Sequence, residues 1–500
     1  MMTKNKPNVI LVIIDALRAK EFYFPDGKKP NTSFLDRLAK SSYVYTRGIA
    51  PSTWTLPSCA SIFTGLLPTE HGLNFANSKL KSGVRTFAEV MSRNGYRTVC
   101  FSGQPLINYE NGIARGFDEL YNFYKPVELP FKKNVLDLKK LKLPQDKGIL
   151  EIIQYILESS LSEGNVFKNL INMCAHYNKS LLGFFMRDKG AKEIIDAAIN
   201  WIKSWQSSED NPSFFLYIHL METHEMYFPF AFYNILYSIL NIQRVIKYLK
   251  SVRITHFTSR NLVEHYYFEK DVIKYLRGLY KKEIEYLDKR LNLFYKFLKS
   301  QGLDNETVFI ITADHGQQLY EHRALGHAMR FYNVNLHVPL LIRLPEAEFK
   351  TINRFISLKD LPATVADYLG FGNETPGHSF LPNKMDKYPP YVLSETIADP
   401  IFDIKMRNKN ITNELDGLND KIISEYMYGG LSVYYDKFHY ILLTNGRKEV
   451  YDFENDYNER TNLLSIGLKE LPNSILRVVE KEFLRLKIAN MLRRSRGVIK

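Results

Sequence analysis

Cysteine is scarce. The 500-residue chain has three: Cys59, Cys100 and Cys174. An odd number without CxxC spacing argues against a disulfide framework or a zinc cluster, and a reducing compartment is the expectation. Long apolar runs are missing too. The opening MMTKNKPNVILVIIDALR has an apolar run that Asp15 interrupts too soon for a signal peptide or a membrane span. The aromatic stretch 226–242 contains Asn234 and several tyrosines and falls short of a spanning helix. The expectation is a cytoplasmic protein with no transmembrane segment, peripheral membrane contact staying open. Internal repeats and low-complexity tracts are absent. Acidic residues are in deficit: Lys+Arg 67 against Asp+Glu 54 gives +13. That charge is spread along the chain with no nucleic-acid-binding signature, so anionic small substrates, glycans or lipid headgroups are the expected partners rather than nucleic acid.

Against these gaps stands 45% hydrophobic content, enough for a large core in more than one domain or one domain with additions. Residues 8–14 are a continuous β-branched run, as in a strand buried on both faces. The run ends at Asp15, which reads as a metal ligand at a strand's carboxyl end or as a cap for Ala16-Leu17-Arg18. Residues 31–40 read as a helix. The stretch APSTWTLPSCASIFTGLLPTEHG, residues 50–72, reads as a Ser/Thr-capped helix opening near Thr55 and stopping near Gly65. That places the Thr55 hydroxyl where free N–H groups and the helix dipole favour an anion.

Helices at 86–96, 191–205 and 271–298 alternate with strands at 98–101, 214–220 and 307–313, the pattern of an α/β fold. The 214–220 strand ends in Met221-Glu222-Thr223-His224, with Glu222 and His224 placed for chemistry. The 307–313 strand ends in Asp314-His315-Gly316, a carboxylate and an imidazole side by side as two metal ligands. His327 follows Gly326 in a loop from which a side chain reaches a substrate. His337, just before an apolar run to Ile342, reads as structural. Residues 357–369 read as a helix. Aromatic and basic insertions are expected at about 121–190 and 225–271. After about residue 387 the character changes to a smaller α+β subdomain, with strands at 431–435, 440–443 and 450–453 and a basic terminal helix over about 473–494.

Taken together, these pieces resemble the sulfatase family of the alkaline phosphatase superfamily. The resemblance is carried by NVILVIIDALR (8–18), TWTLPSCASIFTGLLPTEHG (53–72), TFAEVMSRNGYRTVCFSG (86–103), GIARGFDELY (112–121), LYIHLMETHEMYFP (216–229), YKKEIEYLDK (280–289), FIITADHG (309–316), GHAMRFYNVNLHVPLLI (326–342) and EVYDFENDYNERTNLL (449–464). It implies an αβα sandwich around a mixed, largely parallel sheet, a catalytic domain over 1–386 and the smaller subdomain over 387–500. It implies one divalent metal ion (Mn²⁺, Mg²⁺, Zn²⁺ or Ca²⁺) on Asp15, Asp314 and His315, with Thr55 as the metal-bound nucleophile. His224 and His327 fall on contacts to substrate oxygens or the leaving group, with Glu222 beside them. A second metal near Glu222, His224 and His327 stays open.

Two departures bear on chemistry. Formylglycine sulfatases carry Cys or Ser at the nucleophile position. Thr55 cannot yield that aldehyde, because its β-carbon bears a methyl group. Cys59 stands where sulfatases have an arginine, and Ala16 where many have a second Asp. The expected reaction is hydrolysis of an anionic phosphate or sulfate ester, Thr55 attacking in line to form a phospho-threonine. The alternatives are transfer of phosphoglycerol or phosphoethanolamine to a glycan or lipid, true sulfate ester hydrolysis, and a non-catalytic binding module.

Overall fold

The computed structural model describes residues 6–25, 27–74, 77–124, 188–225, 269–327, 330–346, 348–397, 429–467 and 473–497, with isolated positions between 226 and 268. Most of both expected insertions, and Cys174, lie outside the described residues.

The strands are β1 (Asn8–Ile14), β2 (Tyr43–Ile49), β3 (Arg97–Ser102), β4 (Glu119–Asn122), β5 (Phe214–Leu220), β6 (Thr307–Thr312), β7 (Gln318–Leu319), β8 (Leu325–Gly326), β9 (His337–Arg343), β10 (Lys350–Ser357), β11 (Tyr391–Thr396), β12 (Gly430–Tyr435), β13 (Phe438–Leu443) and β14 (Lys448–Asp452). Eight form the central sheet in the order β10-β2-β9-β6-β1-β5-β3-β4. Only β9 runs against its neighbours β2 and β6; every other pairing in this sheet is parallel. The fold is therefore α/β with a mixed, largely parallel sheet, as expected. β1, β5 and β6 are buried along their whole length.

Side chains alternate across a strand, and β5 shows both faces covered. Phe215 and Tyr217 meet Phe87 and Phe63, ring centroids 5.3 and 4.9 Å apart. Phe214, on the other face, meets Trp201 and Trp205 at 5.6 and 4.9 Å. One layer thus contains the helices Thr55–Thr64 and Phe87–Arg93, the other Ala191–Gln206. The long helix Lys270–Ser300 packs on Ala191–Gln206 and sets Tyr295 5.4 Å from Phe309 of β6.

Some elements differ from expectation. β2, β4, β10 and β11 were not legible as strands. β2 reads YVYTRGI, and its half-exposed Thr46 and Arg47 interrupt the apolar run. The helix expected over 357–369 is shorter: Ser357 closes β10, a 3-10 turn covers Leu358–Asp360, and the helix is Leu361–Tyr368.

Strands β11 to β14 form a separate antiparallel sheet, on which the helix Asn473–Gly497 packs. β11 holds the loop leading into the Thr55 helix. Glu395 N–H donates to Pro51 O (2.9 Å), Ser52 Oγ donates to Glu395 O (2.6 Å), and Thr53 Oγ1 and Thr396 Oγ1 are 2.7 Å apart. The side chain of Glu395 is fully buried. It accepts from Thr69 N–H (3.1 Å) and Thr69 Oγ1 (2.8 Å) and pairs with Arg485 of the terminal helix.

Removing one partner of a buried pair strands the other in a dry site. Arg485→Ala is expected to cost about 2 kcal/mol, below the usual cost because Arg485 is itself partly exposed. Lys481→Ala on the exposed face of the same helix is expected to stay within about 0.5 kcal/mol of wild type. Urea midpoints of both variants check this, and equal midpoints would remove the ion pair from the account.

Candidate functional site

Parallel strands that run the same way present their carboxyl ends along one edge, where ligands bind. β1 delivers Asp15, β6 delivers Asp314 and His315, and the loop after β2 delivers Thr55. All four are buried. One ligand atom each from Asp15, Asp314 and His315 lies within 4.8 Å of the others. Thr55 Oγ1 lies 3.1 Å from His315 Nε2 and 3.4 Å from Asp15 Oδ2.

Asp15 caps no helix. Ala16 turns the chain at φ 62°, and its N–H donates to Asp314 Oδ1 (3.3 Å). That left-handed bend costs a non-glycine residue on the order of 1–3 kcal/mol and is a mark of functional loops. Gly316 is needed for close approach, since a Cβ there would stand 2.1 Å from Val334 O. The Thr55–Thr64 helix ends on Gly65 in the left-handed conformation, as expected. Its start differs: the N-cap is Trp54, which offers no cap, and Thr55 is the first helical residue. The hydroxyl therefore faces the cluster instead of satisfying the helix. Ser58 Oγ donates to Asp314 O, tying the helix to the end of β6.

His315 Nδ1–H donates to Gly316 O (2.7 Å), which leaves the Nε2 lone pair toward the cluster. Burial pushes the imidazole down, favouring the neutral form a metal ligand requires. Burial would raise the Asp15 carboxyl, but His224, His219 and His315 outweigh it and hold Asp15 below the usual carboxylate range. Asp314 moves the other way: burial, then the Asp15 charge, push it up to about 7. A cation between them would relieve that repulsion. Asp15 Oδ1 is buried with no hydrogen-bond partner, which buried oxygens rarely tolerate. The residues thus fit a divalent cation with three oxygen donors and one nitrogen, a set that does not choose among Mn²⁺, Mg²⁺ and Zn²⁺.

His224 and His327 stand beside this group. The His327 ring is 4.4 Å from that of His315 and 5.0 Å from that of His224. His327 Nδ1 donates to Gln317 Oε1 (2.8 Å), and His224 Nδ1 to Glu225 O (2.6 Å). Glu222 is turned elsewhere. Its Oε1 accepts from Ala191 N–H (2.8 Å) at the start of the Ala191–Gln206 helix. His337 is structural, as expected: it bonds Thr46 O (2.8 Å) and Tyr457 OH (3.1 Å).

Two further residues escaped sequence reasoning. Gln104 Nε2 donates to Asp15 Oδ2 (2.8 Å), and His219 Nε2 lies 3.3 Å from the same oxygen. His219 Nδ1 is 2.7 Å from Tyr217 OH. The available signals were a lone histidine near the carboxyl end of an apolar strand and a glutamine two residues past another.

The site thus places two carboxylates, an imidazole and a hydroxyl at the carboxyl edge of a largely parallel α/β sheet. A sulfatase family model matches residues 7–371, and the chain belongs to the sulfatase family, whose members hydrolyse esters. It is 22% identical over 497 residues to the arylsulfatase of Clostridium perfringens, covering 95% of this chain and 94% of that protein. It is 22% identical over 421 residues to dog (Canis lupus familiaris) arylsulfatase K, covering 78% and 70%. Among solved structures, the phosphonate monoester hydrolase of Silicibacter pomeroyi superposes with TM-score 0.66 at 17% identity, covering 97% of this chain and 96% of that one. Among the described residues no helix is long and apolar enough to cross a membrane.

Glu222 supplies a pH test. Burial, then the Asp188 charge, push its carboxyl up to about 8, against about 4.3 in an unfolded chain. Between those values the native state holds a proton that the unfolded state has lost, so stability falls as pH rises. Glu222→Gln keeps an acceptor for Ala191 N–H but cannot titrate. Its urea midpoint is expected to fall less than that of wild type between about pH 5 and about pH 8. Parallel curves would show that Glu222 holds no such proton.

Proposed function

We propose that this sulfatase-family hydrolase cleaves an anionic phosphorus ester by in-line attack of Thr55 Oγ1, forming a phospho-threonine that water then hydrolyses. The observation carrying this reading is the position of Thr55 Oγ1, within hydrogen-bond range of His315 Nε2 and beside Asp15. A threonine hydroxyl is a weak nucleophile unless activated. A divalent cation held by Asp15, Thr55, Asp314 and His315 would acidify that hydroxyl and neutralise substrate charge.

The helix behind Thr55 supplies hydrogen-bond donors. First-turn N–H groups have no intrahelical acceptor. Pro57 has no N–H and Ser58 N–H bonds Trp54 O (3.2 Å), so the Thr55 and Leu56 amides are left to meet an anion. His327 protonates the leaving oxygen. Its Nδ1–H is committed to Gln317 Oε1, so proton exchange falls to Nε2. His224 orients the substrate beside it. Phosphorus is preferred over sulfur because Thr55 cannot become formylglycine.

Thr55→Ala is expected to lower turnover by at least about 10³-fold while metal affinity, read by isothermal titration, falls by no more than about 10²-fold, since two carboxylates and an imidazole remain. Thr55→Ser should retain measurable turnover. A panel of p-nitrophenyl phosphate, phosphodiester, phosphonate and sulfate esters, run after chelation and re-addition of Mn²⁺, Mg²⁺, Zn²⁺ or Ca²⁺, assigns the ester class and the metal. Wild-type turnover by Thr55→Ala would remove Thr55 from the mechanism. Turnover of the sulfate ester alone would overturn the choice of phosphorus.

A further inference from the structure

Two of the proposed metal ligands, Asp314 and His315, and His327 sit at the two ends of one small hairpin. Asp314-His315-Gly316 leads into β7, and β8 leads out to His327; Gln318 pairs with Gly326 and Leu319 with Leu325. The turn between them is strained. Tyr320, His322 and Arg323 have φ of 74°, 51° and 54°, three of the six non-glycine residues with positive φ among the described residues. Such a turn persists only where its surroundings over-determine it.

Those surroundings converge on Glu321, whose carboxylate is buried and held below the usual carboxylate range, since Arg18, Arg277 and Lys20 outweigh burial. Its Oε2 accepts from Leu319 N–H (2.6 Å). Its Oε1 accepts from Arg18 Nη1 (2.9 Å) and Arg277 Nη2 (3.1 Å). Arg277 Nε also donates to Leu319 O (3.2 Å), and Arg18 Nη1 to Gln317 O (3.3 Å). Arg18 is on the Asp15 loop, three residues beyond the metal carboxylate. Gln317, at the foot of the hairpin, accepts from His327 Nδ1 and donates Nε2 to the Glu225 carboxylate.

We propose that Glu321 is a positioning residue for the reaction: its carboxylate locks the β7–β8 hairpin to Arg18, so that His327 is held beside the Asp15, Asp314 and His315 cluster. The proposal rests on the reading of His327 as the group that protonates the leaving oxygen. Loss of a general acid hurts poor leaving groups most, because good ones depart without a proton. Glu321→Gln keeps the size of the side chain and removes the charge that Arg18 and Arg277 bind.

The test compares p-nitrophenyl and phenyl esters of phenylphosphonic acid, or of sulfuric acid if the ester panel selects it. For Glu321→Gln the phenyl ester is expected to lose about 10²-fold in kcat, and the p-nitrophenyl ester less than about fivefold. Arg277→Gln removes a partner at the more exposed end of the clamp, and is expected to change the two esters in the same sense by less. It carries the test if Glu321→Gln does not fold. His327→Ala is run alongside. Equal losses on both esters in His327→Ala would overturn the role of His327. A leaving-group-selective loss in His327→Ala, with equal losses on both esters in Glu321→Gln and Arg277→Gln, would overturn the clamp and leave the role of His327 standing.

Discussion

Two carboxylates held beside each other in a dry interior repel, and much of the architecture around them serves to enforce that proximity. Asp15 and Asp314 end adjacent parallel strands, β1 and β6, whose register is fixed by an unbroken ladder from Asn8↔Thr307 to Ile13↔Thr312. Strand pairing alone does not aim the carboxylates. The bend at Ala16 turns its N–H onto Asp314, and Gln104 and His219 hold one oxygen of Asp15. The other oxygen is left with no hydrogen-bond partner. Local strain and an orphaned oxygen are both features that a bound cation would compensate.

Thr55, the proposed nucleophile, reaches the cluster by a different route. It begins a helix rather than ending a strand, and the smaller sheet and Ser58 together fix its approach. β11 binds the 50–53 loop through backbone and hydroxyl contacts, and Ser58 secures the first turn from the other side. A segment more than three hundred residues downstream thus sets where the Thr55 hydroxyl lies.

That division explains what was legible. β1, β5 and β6 were readable because a strand buried on both faces must be apolar throughout, and the first charged residue after it marks the sheet's edge. Asp15 and Asp314 are the first charged residues past β1 and β6 and His315 stands beside Asp314, while the family resemblance gave all three their expected role. β2 and β10 escaped it: β2 carries half-exposed Thr46 and Arg47, and β10 opens on exposed Lys350 and Thr351. Gln104 and His219 escaped for another reason. Each is a single polar residue in an ordinary context, and only the third dimension brings both to Asp15. The expected hydroxyl cap also failed for a physical reason, since the Thr55 hydroxyl faces His315 and Asp15 instead of the helix.

Proximity of reactive groups is not sufficient. Ser432, His439 and Glu459 form a hydrogen-bonded chain, with Ser432 Oγ 2.7 Å from His439 Nε2 and His439 Nδ1 paired to Glu459. The order is that of a hydrolytic triad. All three are buried, Tyr434 stacks on the imidazole at 3.9 Å, and Glu459 also accepts from Asn333 N–H (2.6 Å). No substrate reaches them, and the chain ties β12 and β13 to the residues ahead of β9. Cys59 makes the converse point within the active helix. It stands one turn beyond Thr55, and its sulfur lies 3.9 Å from Asp314 Oδ2. Thiolates are better nucleophiles than alcohols, yet burial and then the Asp314 and Asp15 charges push this thiol well above its ordinary range. Burial and the two carboxylates thus disfavour the Cys59 thiolate, and in the proposed mechanism the attacking role goes to the Thr55 alcohol.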